Sequence, residues 1–189
     1  MKGIGMPQIY EPAPLDAAAQ QTTQQVVFMG SVLTLPSLFL VLSGLLRYDI
    51  AYFTALACCL MAALVLGYVG WRWAGQVRLI ELTDTQLVVR RRLWRALIVP
   101  ITHINAVALT PLAIDIVTTR WRTGAGVFGY LGTFASPRYG RMQAVASDRE
   151  RLVAIGRSAA LLLILSPADP FAFVDGVRAV LPTSTADRK

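Results

Sequence analysis

The chain of 189 residues is 55% hydrophobic and only 15% charged, whereas soluble domains usually contain about 25% charged residues. This composition argues against a wholly water-soluble protein, so part of the chain is expected to lie in lipid. The formal net charge of +7 is compatible with nucleic-acid binding. However, the aromatic and basic residues around Trp121 and Tyr139 match no RNA-binding or helix-turn-helix pattern, and we expect no nucleic-acid partner.

The first 25 residues are rich in Pro, Gln and Ala and show no sustained apolar periodicity. Such a segment cannot bury enough apolar surface to offset the entropy of ordering. The sequence therefore predicts a disordered N-terminal segment over residues 1–25, apart from a helical turn or two directly before the membrane.

Two apolar runs follow, Val26–Leu46 and Ile50–Trp71, separated only by Arg47, Tyr48 and Asp49. A helix needs about 20 apolar residues to cross the hydrocarbon core, and backbone in lipid must satisfy its hydrogen bonds internally. The two runs therefore predict a transmembrane helical hairpin over residues 26–73. Neither run contains Asp, Glu, Lys, Arg or His, which disfavours a channel or transporter.

Basic residues are concentrated beyond the second run, while Arg47 alone lies in the turn between the runs. The positive-inside rule then places both termini in the cytoplasm. The first basic residues after the second run are Arg72, Arg78, Arg90, Arg91, Arg92 and Arg95.

From Gln76 onward, short apolar runs alternate with turn residues, as is typical of small antiparallel β structures. The segment Ser166–Pro182 then changes to helical spacing, with Asp169 as a candidate N-cap and Pro170 at the first helical position. The sequence predicts seven strands covered by one helix. The strands are VRLIELT, TQLVVRRR, RALIVPI, INAVALT, RMQAVAS, RLVAIGR and AALLLILS.

A glycine motif with the spacing G-x-G-x-x-G begins at Gly124. A dinucleotide-binding loop requires a buried strand before the motif and a helix after it, but Pro137 and Gly140 leave no room for a useful helix. The motif is therefore predicted to be a structural loop in which glycines supply positive φ angles. It comprises Gly124, Gly126, Gly129, Tyr130 and Gly132.

The segments PITHINAV, RTGAGVFGYLGTF, GRMQAVASDRERLVAI and LILSPADPFAFVDGVRAVL occur in this order within residues 76–182. This order resembles the bacterial pleckstrin-homology-like (PH-like) domains that follow transmembrane helices. The helix-cap motif Ser166, Pro167, Asp169 and Pro170 is the most specific part. The resemblance implies a seven-stranded bent antiparallel barrel capped by a C-terminal helix. Together with the predicted helical hairpin, it gives a membrane-anchored α+β protein that is expected in the bacterial inner membrane. Residues 183–189 are predicted to form a disordered tail.

The basic cluster around Trp94 allows two interpretations. Its arginines could contact anionic lipid headgroups, or they could form a solvated hairpin turn that protects a strand edge. The candidate membrane-surface residues are Arg78, Arg90, Arg91, Arg92 and Arg95.

The sequence offers few residues for catalysis, with one histidine, His103, and two adjacent cysteines, Cys58 and Cys59, inside the second apolar run. We expect no catalytic site, metal or cofactor. The predicted function is a non-enzymatic, membrane-anchored binding or regulatory module that engages a membrane-protein or peptide partner. Direct binding of anionic membrane lipids, and a role as accessory subunit of a membrane enzyme complex, remain as alternatives.

Overall fold

The structure is a computed structural model, and it describes residues 7–44, 50–110, 126–136, 140–158 and 160–181. Two long helices, α1 (Ala17–Gly44) and α2 (Ile50–Ala74), pack against each other. Gly30 permits a close approach, since a Cβ there would lie 3.2 Å from Val65. Both helices are long and apolar enough to cross a membrane, and only 11% of each apolar window is buried. This exposure distinguishes them from the core helices of a soluble protein.

The remaining chain forms two sheets and a C-terminal helix, α3 (Pro170–Val180). The first sheet is antiparallel, and its strands follow chain order: β1 (Gln8–Tyr10), β2 (Val77–Leu82), β3 (Gln86–Arg91) and β4 (Leu97–Pro100). A 3-10 turn over Ile101–His103 leads to the second sheet. Its strands are β5 (Ile104–Leu109), β6 (Tyr130–Ser136), β7 (Gly140–Ala146), β8 (Val153–Arg157) and β9 (Leu162–Leu165), in the spatial order β5-β8-β9-β7-β6.

All seven predicted strands are present, as β2, β3, β4, β5, β7, β8 and β9. The predicted single seven-stranded antiparallel barrel is wrong, because the described residues form nine strands in two sheets and β7 pairs with β9 in parallel. The physical reason is the β6–β7 hairpin, which lies between β5 and β8 in the chain but at the far edge of the sheet. As a result β8 pairs with β5, and β9 fills the space between β8 and β7.

The predicted C-terminal helix is present and packs on the apolar core. Phe173, Val174 and Val177 are buried in the core cluster contributed by both sheets. Asp169 caps the helix, because its carboxylate accepts the backbone N–H groups of Phe171 and Ala172, each at 3.0 Å. The cap orients the helix so that its apolar stripe faces the sheets.

The N-terminal segment differs from its prediction, because residues 8–25 have defined structure. Strand β1 pairs with β2, Pro12 forms a bridge with Pro167, and the N–H of Ala13 donates to the carbonyl of Ser166 at 2.8 Å. We call residues 8–16 the N-terminal strap. A segment of nine residues is too short to form a core of its own, so it is ordered by its contacts with the domain. Residues 1–6 and 183–189, also predicted to be disordered, lie outside the described residues.

Asp16 joins the start of α1 to the second sheet. Its carboxylate accepts the N–H of Ala19 at 2.7 Å, the hydroxyl of Tyr130 at 3.0 Å and the Nε–H of Arg149 at 3.2 Å. Tyr130 is completely buried, and burial, followed by the hydrogen bond to Asp16, raises the pKa of its hydroxyl above the ordinary value. The first turns of α1 are therefore packed against the domain, before the helix reaches its most apolar part.

The glycine motif forms a tight turn followed by a strand. The N–H of Gly126 donates to the carbonyl of Gly129 at 3.3 Å, and the two glycines have φ angles of 96° and 101°. A Cβ at Gly129 would lie 2.6 Å from the carbonyl oxygen of Ala146. Strand β6 follows directly, where the sequence predicted a structural loop. The turn therefore does not open a helix that could hold a pyrophosphate. Gly124 lies outside the described residues.

We predict that Gly129→Ala destabilises the protein by at least about 3 kcal/mol, because it adds a collision with backbone to the cost of a positive φ angle. Gly140→Ala is the matched control. Gly140 also has a positive φ, of 66°, but no atom lies within 4 Å of the position that a Cβ would take there, so its cost is about 1 kcal/mol. Thermal unfolding of the full chain in mild detergent measures both. Equal shifts for the two variants would contradict the proposed collision.

We predict that Tyr130→Phe lowers the free energy of unfolding by about 1–2 kcal/mol, since a hydrogen bond to a carboxylate is lost. The raised pKa of Tyr130 in the folded state means that its stabilisation is fully present below the ordinary tyrosine pKa and is lost as pH rises from that value towards the folded one. The difference in stability between the two proteins should therefore shrink from about pH 9 to about pH 11. A difference that stays constant over this range would show that Tyr130 does not titrate as inferred.

Candidate functional site

The tip of the β3–β4 hairpin, residues 92–96, is hydrogen-bonded to the end of α2. The backbone N–H groups of Leu93 and Trp94 donate to the carbonyl of Ala74 at 2.9 and 3.3 Å, and the N–H of Arg92 donates to Gln76 at 2.9 Å. The second candidate span, Leu56–Ala74, ends at this same residue. The structure thus brings the predicted basic cluster to the point where α2 would leave a bilayer.

Aromatic rings reinforce this junction. The ring of Trp94 lies 4.9 Å from that of Trp71, and Gly75 leaves room for it, since a Cβ there would lie 3.2 Å from the Trp94 ring. The guanidinium of Arg92 lies 4.9 Å above Trp73, a favourable cation–π arrangement. Trp94 and Arg92 of the hairpin tip therefore both pack against tryptophans in the last turn of α2.

The predicted membrane-surface arginines are not equivalent. Arg90 is paired with Glu81 through an Nε–Oε1 contact of 2.6 Å and a second bond of 3.0 Å, and this hydrogen bonding raises its pKa. Arg91 is half-buried, and burial lowers its pKa. Arg78, Arg92 and Arg95 are exposed. None of these three forms an ion pair with the acidic side chains that the structure describes.

Arg72 has a different role from the one its charge suggested. Arg72 was predicted to be one of the basic residues that follow the second span. In the structure it belongs to the last turn of α2, and its side chain is buried. It donates to three backbone carbonyls, from Nε to Val127 at 3.3 Å, from Nη2 to Gly129 at 3.1 Å and from Nη1 to Leu131 at 2.9 Å. Sequence reasoning missed this contact because a basic residue between two tryptophans is equally typical of an interfacial anchor.

Helix α1 holds the same turn from the other side. The N–H of Phe128 donates to the hydroxyl of Thr23 at 2.8 Å, and Thr22 lies 3.1 Å from the position that a Cβ at Gly126 would take. The turn is thus enclosed between the two helices, and Gly126 permits the close approach of Thr22. The arrangement gives the glycine motif a joining role within the protein.

The helix-cap motif is also engaged within the fold. Ser166 is buried, and its hydroxyl accepts the N–H of Ser147 at 2.7 Å. The carbonyl of Ser166 accepts the N–H of Ala13 in the strap, and Pro167 forms a bridge with Pro12. Asp169 caps α3. The motif therefore connects the β7–β8 turn, the strap and α3.

The one signal in the sequence for the strap was Asp16 before a run of helix-forming residues, which is a typical N-cap position.

A cleft of 140 Å³ lies where β4 turns away towards the second sheet. Strand β4 is an edge strand of its sheet, and Ile98 on it is 56% exposed. Arg157 forms one wall and is held in place by its bond of 2.8 Å to the carbonyl of Leu161. The cleft is lined by Ile98, Val99, Pro100, His103, Arg157 and Ala160.

Comparison with curated proteins gives no match, and neither does comparison with solved structures. A family model described as "Bacterial PH domain" matches residues 73–181, more than half of the chain. The matched region contains β2 to β9 and α3, together with the hairpin tip, the glycine turn and the helix-cap motif. The resemblance inferred from the order of the sequence segments is thus confirmed, and the chain belongs to the bacterial PH domain family.

Proposed function

We propose that the chain is a non-enzymatic binding module anchored in the bacterial cytoplasmic membrane by α1 and α2. Membership of the family supports a binding or regulatory role, and the two long apolar helices support membrane association. The exposed arginines of the domain, compared with Arg47 alone between the helices, favour a cytoplasmic domain with both termini on the same side.

We propose further that the ligand is an extended segment of a membrane-protein partner or a peptide, which adds to the sheet beside β4. The observation that carries this proposal is the outer edge of β4, which has no neighbouring strand among the described residues. The N–H of Ile101 donates towards β3, to Thr85 at 2.9 Å. Successive residues of an antiparallel strand direct their backbone groups to opposite sides. Ile98 lies three residues before Ile101, so its N–H and C=O point outwards, away from β3.

The cleft beside β4 supports the same proposal. In strand addition, backbone hydrogen bonds supply affinity and neighbouring pockets select side chains. Exposed Ile98 and the cleft supply such a pocket, while Pro100 limits pairing at one end of the edge because it has no N–H. If the partner is a subunit of a membrane enzyme, the chain acts as its accessory subunit, and the same edge would serve.

A second candidate function is direct binding of anionic lipids. The observation that favours it is the position of Arg92 and Arg95, which are exposed at the hairpin tip beside the end of α2. Each basic residue near an anionic leaflet contributes about 1 kcal/mol. Such contacts need no defined pocket, so they select for lipid charge and not for one headgroup.

We predict that a photo-crosslinking amino acid at Ile98 captures one specific partner in native membranes, whereas the same group at Ile9 does not. Ile9 is the matched control, because it is 61% exposed on β1, at the opposite edge of the same sheet. Mass spectrometry of the products identifies the partner and shows whether it is an enzyme subunit. The same products from both positions, or none from Ile98, would contradict binding at β4.

We predict that full-length protein in nanodiscs is stabilised by phosphatidylglycerol at low salt, and that Arg92→Gln with Arg95→Gln removes about 2 kcal/mol of this stabilisation. The control pair Arg90→Gln with Arg178→Gln removes the same charge at other exposed positions. Thermal unfolding in neutral and anionic nanodiscs measures the difference, which added salt should reduce. Equal losses in the two pairs would indicate a general effect of net charge without a site at the tip.

A further inference from the structure

The hairpin tip presents a leucine to the outside of the domain. Leu93 is 73% exposed, more than Ile9 at 61% or Ile98 at 56%. A single exposed apolar side chain is common on protein surfaces and has no meaning by itself. Its position relative to the membrane helices is what distinguishes Leu93 from the other two.

Leu93 is fixed beside the end of the second candidate span. Its N–H donates to the carbonyl of Ala74, the residue at which the apolar window of α2 ends. Trp71, one turn earlier, remains 64% exposed even though it contacts Trp94. Exposed tryptophans at the end of a span are typical of the membrane–water interface, so an α2 that spans the membrane would place Leu93 at the level of that interface.

The neighbours of Leu93 suit the same environment. Arg92 and Arg95 flank the tip, and arginine side chains extend apolar stems while they keep their charged ends in the headgroup region. Trp94 follows Leu93 directly. The tip thus combines apolar and basic groups over four residues, a combination that favours the boundary between headgroups and acyl chains.

We propose that the β3–β4 hairpin inserts Leu93 into this boundary, so that the tip forms a third membrane contact beside α1 and α2. The proposal rests on α2 spanning the membrane, and it depends neither on a partner at β4 nor on the charge of the lipid. Because both helices are also bonded to the domain, this third contact would fix the tilt of the domain relative to the bilayer.

The test places a nitroxide label on the full chain in nanodiscs, after Cys58→Ala and Cys59→Ala. The labelled positions are Leu93→Cys and the two exposed controls, Ile98→Cys and Ile9→Cys. Collision with oxygen reports lipid, and collision with a water-soluble nickel chelate reports solvent. We expect the ratio of oxygen to nickel accessibility to be several-fold higher at position 93 than at the controls, in phosphatidylcholine alone and in its mixture with phosphatidylglycerol.

Equal ratios at the three positions in both lipids would overturn the proposal. A high ratio at position 93 in the anionic mixture alone would also overturn it, because the arginines and not the leucine would then hold the tip at the surface. A high ratio in both lipids supports it, whatever the outcome of the lipid-charge experiment above.

A second measurement keeps both cysteines. Leu93→Asp should increase hydrogen exchange of the backbone amides of Arg95 and Ala96 in nanodiscs, and Ile98→Asp should not. These two amides are suitable reporters because, unlike those of residues 92–94, they do not donate to Ala74 or Gln76. Unchanged exchange in Leu93→Asp would count against insertion even if the cysteine-free chain failed to fold.

Discussion

The buried guanidinium of Arg72 joins the second long helix to the PH domain. Backbone carbonyls that leave water require hydrogen-bond donors, and an unsatisfied one costs about 1–3 kcal/mol. Arg72 supplies donors to three of them, at Val127, Gly129 and Leu131. Asp16 performs the corresponding task for the first helix, where it accepts bonds from Tyr130 and Arg149. Separation of either helix from the domain would leave polar groups without partners, so the helical hairpin and the domain form one structural unit.

This joining determines which part of the domain can face a bilayer. The hairpin tip is bonded to the last residue of α2, and β4 continues directly from the tip. In the proposed arrangement, Leu93 and its neighbouring arginines meet the membrane, while Ile98 on the same hairpin presents a free strand edge. A segment added beside β4 would then run close to the membrane surface. This proximity favours a juxtamembrane segment of another membrane protein over a freely diffusing peptide.

The elements that sequence reasoning identified are those with a strong local pattern: the two continuous apolar runs, seven strands and the capped C-terminal helix. Strand β1 was missed because it has three residues and depends on a groove between β2 and α3, where Tyr10 packs on Phe173 with ring centroids 5.1 Å apart. Strand β6 was missed because its glycine and neighbouring proline obscured the alternation of Tyr130 and Phe134, both buried on one face. The contacts of Arg72 and the exposure of Leu93 could not be predicted, since composition does not show which way a side chain at the end of an apolar helix points.

The glycine turn shows why a motif must be interpreted through the polarity of the groups it presents. In a phosphate-binding loop, glycines allow backbone N–H groups at a helix N-terminus to point at an anion. Here Gly126 and Gly129 provide the same conformational freedom, with φ angles of 96° and 101°, but the turn and the strand after it point carbonyl oxygens at the guanidinium of Arg72. The spacing of the glycines reflects positive φ angles and close packing, which both kinds of turn need. A cation held by carbonyls has the opposite charge requirement to a bound phosphate. This geometry gives the motif a role in attaching the two long apolar helices to the domain.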